Sequence, residues 1–376
     1  MIPILKSSHK ASQTRRKICI VTASLNLGGA ERASADQSIM FYNLGYDVSI
    51  VTVKSGVAYD YKGEIFDLGK FKDKTNSTSG RISRLLKLRK FLKKNKFHII
   101  IDNRARNQSY RELLVTKFIY NVPTIYVIHS FQENVAFTKY TWLNKYLYKN
   151  EQMVVVSKKG RDKFKKMYQL NTIDTIYNGF DFHKIKELSN QEIDANSLTG
   201  YIIYCGRIDD KIKNLKLLIK AYKLSKLVDY KIKLLILGDG QDLSLIKSYA
   251  EKLEVGKNLI YKGFSKNPFP YFRNAIFTAL TSRSEGFSMV LAESLGVGTP
   301  VVSVNCDAGP KEIITDEFNG LLVENFNEEA LAKAFDSFIE NNELYLKCKQ
   351  NAKSSVEKFS VQYISKAWDI ILNKLS

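Results

Sequence analysis

The chain has 376 residues, 44% hydrophobic and 26% charged, which is the composition of an ordinary globular protein long enough for two cores. It carries 58 Lys and Arg against 38 Asp and Glu, a net charge of +20, and such an excess points to nucleic acid, a membrane surface or a phosphorylated substrate. The excess is lopsided: residues 1–200 hold 34 basic and 17 acidic side chains, whereas residues 201–376 hold 24 and 21. No apolar run reaches the roughly 18 residues that a bilayer-spanning helix needs. The apolar stretch 2–5 is too short for the core of a secretory leader, and the basic residues follow it. Cys19, Cys205, Cys306 and Cys348 lie far apart with no metal-ligand spacing, so a reducing, cytoplasmic location is expected.

Residues 1–16 are polar and read as disordered. Residues 17–22 form a short apolar run rich in β-branched side chains, as expected of a buried parallel strand. A loop follows, then a helix over 30–44 closed by Gly45, then a strand over 47–53. This is a βαβ unit with a right-handed crossover. The alternation continues with a basic helix over 81–96, a strand over 98–102, a helix over 110–120 and a strand over 124–128. An aromatic, basic helix over 139–150 and a strand over 152–157 complete the first series. Residues 183–199 are polar and read as a linker. A second series of strands spans 201–205, 233–237, 259–261, 277–280, 300–303 and 320–323, and a last helix spans 361–375. The expectation is an α/β protein with two doubly wound, Rossmann-like parallel sheets: residues 1–182 and 200–355, with 356–376 packing back on the first. Ligands of such sheets bind at the carboxyl ends of the strands, here in the cleft between the domains.

Several residues fall at those strand ends. Gly28 and Gly29 sit between the first strand and first helix, where backbone can approach an anionic ligand. They do not form G-x-G-x-x-G, which counts against a dinucleotide cofactor. Arg207 and Lys213 flank the turn after strand 201–205, and two cations beside a helix start suit a diphosphate. The neighbouring Asp209 and Asp210 read as solvated carboxylates rather than metal ligands. Glu285 precedes, and Glu293 lies about two turns into, a helix expected to open at Phe287. The N–H groups of Phe287, Ser288 and Met289 would then be free for hydroxyl or phosphate oxygens. His129 ends strand 124–128 and faces the cleft.

Together these segments resemble glycosyltransferase family 4, retaining enzymes of the GT-B fold. The resemblance runs from about residue 17 to the last helix. It rests on Gly28-Gly29-Ala30-Glu31-Arg32, His129, residues 155–158 and 176–181, Gly206-Arg207 with Lys213-Asn214, Glu285 and Glu293 with seven residues between them, and the stretches 298–302 and 309–314. It implies that Arg207 and Lys213 neutralise a donor diphosphate, with Gly28 and Gly29 admitting it close to the backbone. Glu293 would accept hydrogen bonds from the ribose hydroxyls. Glu285, with the N–H groups of Phe287, Ser288 and Met289, would hold the donor sugar, and His129 would contact the sugar at the reacting centre. Glu285 and His129 are thus the catalytic candidates. The segment from Arg207 to Lys213 is one residue longer than the commonest family spacing, which leaves Lys211 as a rival to Lys213.

The implied reaction moves a hexose or N-acetylhexosamine from a nucleotide sugar, UDP-linked, to a hydroxyl of a glycan or lipid-linked glycan of a bacterial envelope polysaccharide such as lipopolysaccharide, O-antigen or capsule. It needs no metal or other cofactor, because Arg207 and Lys213 supply the positive charge. A GDP-mannose-dependent mannosyltransferase of the same fold is the alternative. A nucleic-acid-binding protein, a sugar-nucleotide epimerase or dehydrogenase, and a membrane-binding protein without activity are the rivals. The first lacks a recognisable binding module and the second a dinucleotide fingerprint. Helix 81–96 carries eight basic residues, with Ile82, Leu85, Leu86 and Leu92 able to share an apolar face. Tyr140, Trp142, Tyr146 and Tyr148 stand among lysines. Basic residues beside aromatic ones suit an anionic membrane, so the protein is expected to sit peripherally on the inner face of the cell membrane.

Overall fold

The computed structural model describes residues 15–26, 28–73, 77–192 and 200–375. The segment expected to be disordered, 1–16, lies outside the described residues except for Arg15 and Arg16. The first domain is a seven-stranded sheet: β1 (Lys17–Thr22), β2 (Asp47–Thr52), β3 (Glu64–Asp67), β4 (Ile99–Asp102), β5 (Thr124–Ile128), β6 (Gln152–Val155) and β7 (Thr172–Thr175). Its order is β3-β2-β1-β4-β5-β6-β7, with every pairing parallel. The second is a six-stranded sheet: β8 (Tyr201–Cys205), β9 (Lys233–Leu237), β10 (Leu259–Gly263), β11 (Thr278–Leu280), β12 (Val301–Val304) and β13 (Gly320–Val323). Its order is β10-β9-β8-β11-β12-β13, again parallel throughout. The helices that matter below are α1 (Gly29–Asn43), α2 (Thr78–Asn95), α3 (Ser109–Leu114), α4 (Thr141–Tyr148), α5 (Lys158–Tyr168), α6 (Phe182–Ser189), α7 (Met289–Val297) and α8 (Val361–Lys374).

The unbroken apolar runs of the strands follow from this layering. In β1, Ile18 and Ile20 face one helical layer and Cys19 and Val21 the other, and all four are fully buried. Each sheet reverses its strand order once, between β1 and β4 and between β8 and β11. There the connections leave in opposite directions and open a crevice at the carboxyl ends of the strands. This is the two-domain α/β architecture of the GT-B fold.

Three sequence expectations need correction. Strands β3 and β7 were not foreseen: each has four residues, lies at a sheet edge, and mixes polar with apolar side chains. Residues 183–199 are not simply a linker. Phe182–Ser189 is helix α6, capped by the Asp181 carboxylate, which accepts the Lys184 N–H at 3.0 Å. Ile185 is buried and Leu188 packs on the core, so a polar composition concealed an amphipathic helix; residues 193–199 lie outside the described residues. On α2 the apolar residues divide. Leu92 is buried and Leu85 packs against the core, whereas Ile82 and Leu86 face solvent. Tyr148 likewise is core, its ring edge-on to Tyr126, and only Tyr140, Trp142 and Tyr146 of that aromatic group are exposed.

Helix α8 returns to the first domain, where Trp368 meets Phe41 of α1 edge-to-face at 5.3 Å. Just before it, Phe180 exchanges two backbone hydrogen bonds with the chain at Phe359 and Val361. One apolar cluster, including Phe180, Phe287 and Phe359, therefore runs from the first sheet into the second. The cleft is framed by a continuous core rather than by two independent bodies.

Candidate active site

The two strand-reversal points face each other across a cavity of about 900 Å³. Its wall collects the chain segments after β1, β5, β8, β9, β10 and β11. All ten residues singled out in the sequence line it: Gly28, Gly29, His129, Arg207, Lys213, Glu285, Phe287, Ser288, Met289 and Glu293. Lys211 is exposed and does not line the cavity, whereas Lys213 does.

On the first-domain side, Gly28 adopts φ +136, and a Cβ there would strike the Glu31 carboxylate. Only glycine suits this turn, which brings backbone to the cleft wall. Across the cleft, Gly238 follows β9 with φ +147, and a Cβ would strike the Gly206 carbonyl oxygen. The ends of β8 and β9 can therefore press together and present Arg207 beside them.

His129 is placed by the end of β5 and held by Asn103, which follows β4. Its Nε2 lies 2.8 Å from Asn103 Oδ1, and Asn103 Nδ2 donates to Gln37 Oε1 at 2.7 Å. Burial, reinforced by the Arg106 charge, holds the imidazole down to about 3. His129 is thus a neutral hydrogen-bonding group at physiological pH. Behind it Arg104 pairs with Asp102 through two bonds of 2.9 and 2.7 Å and also reaches Glu112, so these buried charges are matched.

The His129 carbonyl oxygen also marks where the domains touch. A Cβ on Gly286, in the opposite domain, would collide with it. Gly286→Ala is therefore expected to wedge the cleft open. Turnover should fall about 100-fold, as for a catalytic group misplaced by an ångström, with the thermal midpoint close to wild type. Wild-type turnover in this variant would show that the contact is dispensable.

On the second-domain side, Lys213 Nζ and Glu285 Oε1 form an ion pair of 2.6 Å, both largely buried. A carboxylate and an ammonium assigned to sugar and diphosphate thus hold each other in place. Helix α7 opens at Met289, two residues later than expected, with Ser288 as its N-cap. The Met289 N–H is bonded to the Phe287 carbonyl at 2.9 Å and is not free. The Phe287 ring points into the core against Tyr177, Phe180 and Phe359, so only the backbone of Phe287 is available to a ligand. Glu293 lies little more than one turn into α7 rather than two. It is buried, and its Oε1 stands 2.5 Å from Arg32 Nη1 of the first domain. Burial pushes the Glu293 carboxyl up, and Arg32 opposes that shift.

Sequence reading missed Arg32, Asn103 and the cavity loop Phe264-Ser265-Lys266. Arg32 belongs to the motif already noted, and its spacing from Gly28 puts it on the first turn of α1. Asn103 follows a strand that pairs directly with β1, the same positional signal that marked His129. Among the described residues, no group of three or more His, Cys, Asp or Glu side chains is gathered as for a metal ion.

The fold and its cleft define a two-domain glycosyl-transfer architecture, and comparison with known proteins agrees. Residues 27–184 match the family model Glycosyltransferase Family 4, and residues 186–355 match Glycosyl transferases group 1. The chain belongs to the glycosyltransferase family 4-like proteins of the GT-B fold. It is 33% identical over 46% of its length to poly(glycerol-phosphate) alpha-glucosyltransferase of Bacillus subtilis, covering 26% of that protein. It is 32% identical over 50% of its length to an N-acetylgalactosaminyltransferase of Campylobacter jejuni that acts on a diphospho-undecaprenol-linked sugar, covering 49% of it. The chain thus spans half or less of the length of these two relatives. The crystal structure of Anabaena HepE with UDP and glucose superposes with a TM-score of 0.77 at 18% identity, covering 96% of this chain and 100% of that one.

Proposed function

We propose that the protein transfers a hexosyl or N-acetylhexosaminyl group, with retention of configuration, from a UDP-sugar to a hydroxyl of a glycan or lipid-linked glycan of the bacterial envelope. The observation that carries this reading is the cavity itself. It gathers two cations, Arg207 and Lys213, two carboxylates, Glu285 and Glu293, and a neutral histidine at the facing ends of two parallel sheets. Relatives named for sugar transfer to poly(glycerol-phosphate), to poly(ribitol-phosphate) and to a diphospho-undecaprenol-linked sugar support the acceptor class. A structural neighbour bound to UDP supports the donor class.

The chemistry follows from the groups present. A nucleotide diphosphate is a good leaving group, so the enzyme must stabilise charge on the departing phosphate and orient the acceptor hydroxyl. Arg207 and Lys213 neutralise the leaving diphosphate, which is the work a metal ion would do elsewhere. As the glycosidic bond breaks, positive charge develops on the sugar. The acceptor then attacks from the face the diphosphate leaves, and the departing phosphate takes the acceptor's proton. Glu285 grips the sugar hydroxyls, Glu293 the ribose, and His129 contacts the sugar as a neutral group. Incubation with a panel of UDP- and GDP-sugars and an undecaprenyl-diphosphate-linked acceptor tests this. Acceptor-dependent release of nucleotide from a UDP-sugar is expected; no release with any donor would overturn the reading.

The first domain also carries an exposed aromatic and basic surface. Tyr110 is 88% exposed, Phe118 59% and Trp142 67%. Lys117 stands 5.0 Å over the Tyr146 ring and Lys139 4.9 Å over Tyr140, which links the α3 and α4 regions in one patch. Among the described residues no helix is long and apolar enough to cross a membrane. The patch fits peripheral docking on an anionic leaflet, where aromatic rings sit at the headgroup level and lysines meet phosphate. Flotation with vesicles is expected only when they contain phosphatidylglycerol, and it should weaken in high salt and in Trp142→Ala. Flotation indifferent to both lipid charge and salt would contradict this.

A further inference from the structure

Arg32 closes the first glycine-rich motif, and nothing in the transfer chemistry uses it. It belongs to α1 in the first domain, yet its guanidinium is held chiefly by the second. Nη1 lies 2.5 Å from Glu293 Oε1, and Cζ lies 5.6 Å from the Phe269 ring centroid. On its own helix, Nε is 3.9 Å from Asp36 Oδ2. Arg32 lines the cleft with about a quarter of its side chain still open.

Glu293 has little else to sustain its charge. Its side chain is 3% exposed, and Oε1 lacks any hydrogen-bond partner. The Arg32 contact is thus a charge contact rather than an aligned hydrogen bond. The other titratable groups near Glu293 do not help. Burial pushes the Cys205 thiol up to about 12, and burial raises Tyr59, so both are neutral near pH 7. Asp36 adds a second carboxylate to the same guanidinium; Lys184 and Asp181 face Asp36, and Lys213 faces Cys205. A buried carboxylate without a cation would take up a proton. A protonated Glu293 would lose the acceptor capacity that two vicinal hydroxyls require.

We propose that Arg32 is a positioning residue for the donor: reaching across from the first domain, it keeps Glu293 ionised and oriented toward the ribose hydroxyls, so that the ribose site is complete only when the cleft is closed. The inference rests on the reading of Glu293 as the ribose-binding residue. It couples donor affinity to domain closure, because the carboxylate and its counter-ion come from different domains. It also explains why arginine occupies the position. The planar fork can meet two carboxylates while lying against Phe269, which a lysine cannot do.

The test is a binding cycle by calorimetry. UDP and 2′,3′-dideoxy-UDP are titrated into wild type, Arg32→Leu and Arg32→Lys at about pH 8 and about pH 6. Arg32→Leu should weaken UDP about tenfold or more, the scale of a lost hydrogen bond to a charged group. The loss should grow at the lower pH, because the folded pKa of Glu293 rises further without Arg32 and the carboxyl protonates as pH falls. Dideoxy-UDP, which cannot use Glu293, should lose less than about twofold. Arg32→Lys should recover part of the loss, and it carries the same comparison should the leucine variant fail to fold. Equal losses for both nucleotides, or none for either, would overturn the role of Arg32 while leaving the donor site standing. A wild-type protein that binds neither UDP nor GDP would remove the donor site and this inference together.

Discussion

Replacing Glu285 with glutamine is expected to lower kcat about 100- to 1000-fold, the scale of one lost electrostatic contact in a preorganised site. Donor affinity should stay within about threefold of wild type, since the lost contact counts chiefly in the transition state. Glu285 and Lys213 pair at 2.6 Å. In the proposed reaction the carboxylate would do two things there: hold the sugar hydroxyls as charge develops on the ring, and aim Lys213 toward the leaving diphosphate. Glutamine keeps the shape and loses the charge on which both depend. It also frees Lys213 from a competing anion, which offsets part of any loss in ground-state binding. The split between kcat and donor Kd is the diagnostic, measured by initial rates and calorimetry on one preparation. A variant that loses donor binding with kcat intact would place Glu285 in ground-state recognition alone. Unchanged kinetics would remove it from the site.

Arg207→Ala is expected to do the reverse first. Arg207 is exposed at the end of β8, and among the described residues of the second domain no carboxylate forms a salt bridge with it as Glu285 does with Lys213. An opposing charge from the first domain is Glu31, whose carboxyl is raised by burial and lowered in turn by Arg207. A guanidinium poised this way offers a planar fork to diphosphate oxygens. Losing one or two charge-assisted hydrogen bonds costs about 2–4 kcal/mol, or roughly 30- to 1000-fold in donor Kd. Because the contact is with the diphosphate and not the sugar, UDP and its sugar conjugate should weaken by the same factor. A loss confined to the sugar conjugate would contradict the assignment, as would wild-type affinity for both. The adenosine or guanosine analogues provide a control, since the diphosphate is common to all of them.

Much of this site was legible in the sequence because the α/β fold makes position and chemistry coincide. A polar or charged residue directly after an apolar, β-branched run must stand at a strand's carboxyl end, and in a doubly wound sheet that is the cleft. Gly28, His129, Arg207 and Glu285 were found by that logic. Partners across the cleft were not, because no local pattern relates Arg32 to Glu293 or Gly286 to His129. Those pairs exist only where the two sheets face each other across the cleft. The start of α7 was misplaced for a different reason. Phe287 satisfies the apolar spacing of a helix, but its ring is claimed by the interdomain core with Phe180 and Phe359, and the helix begins only at Met289. Edge strands β3 and β7 were invisible because four half-polar residues carry too little periodicity to register. Helix α6 was hidden by its charge. His183, Lys184, Lys186 and Glu187 face water, while Ile185 and Ser189 are buried and Leu188 packs on the core. The lopsided charge, in turn, resolves into two roles. The second domain places Arg207 and Lys213 at the cavity, and the first spreads its excess over surfaces such as α2 and the aromatic patch.

The central claim is that one nucleotide sugar binds in the cleft between the two sheets, held by cations of the protein. Calorimetric titration of the wild-type chain with a panel of UDP- and GDP-sugars in the presence of EDTA tests it most directly. One site per chain for a UDP-sugar is expected, undiminished by the chelator and weakened in Arg207→Ala. Binding that vanishes with EDTA, or that survives Arg207→Ala unchanged, would contradict it, as would no binding of any donor.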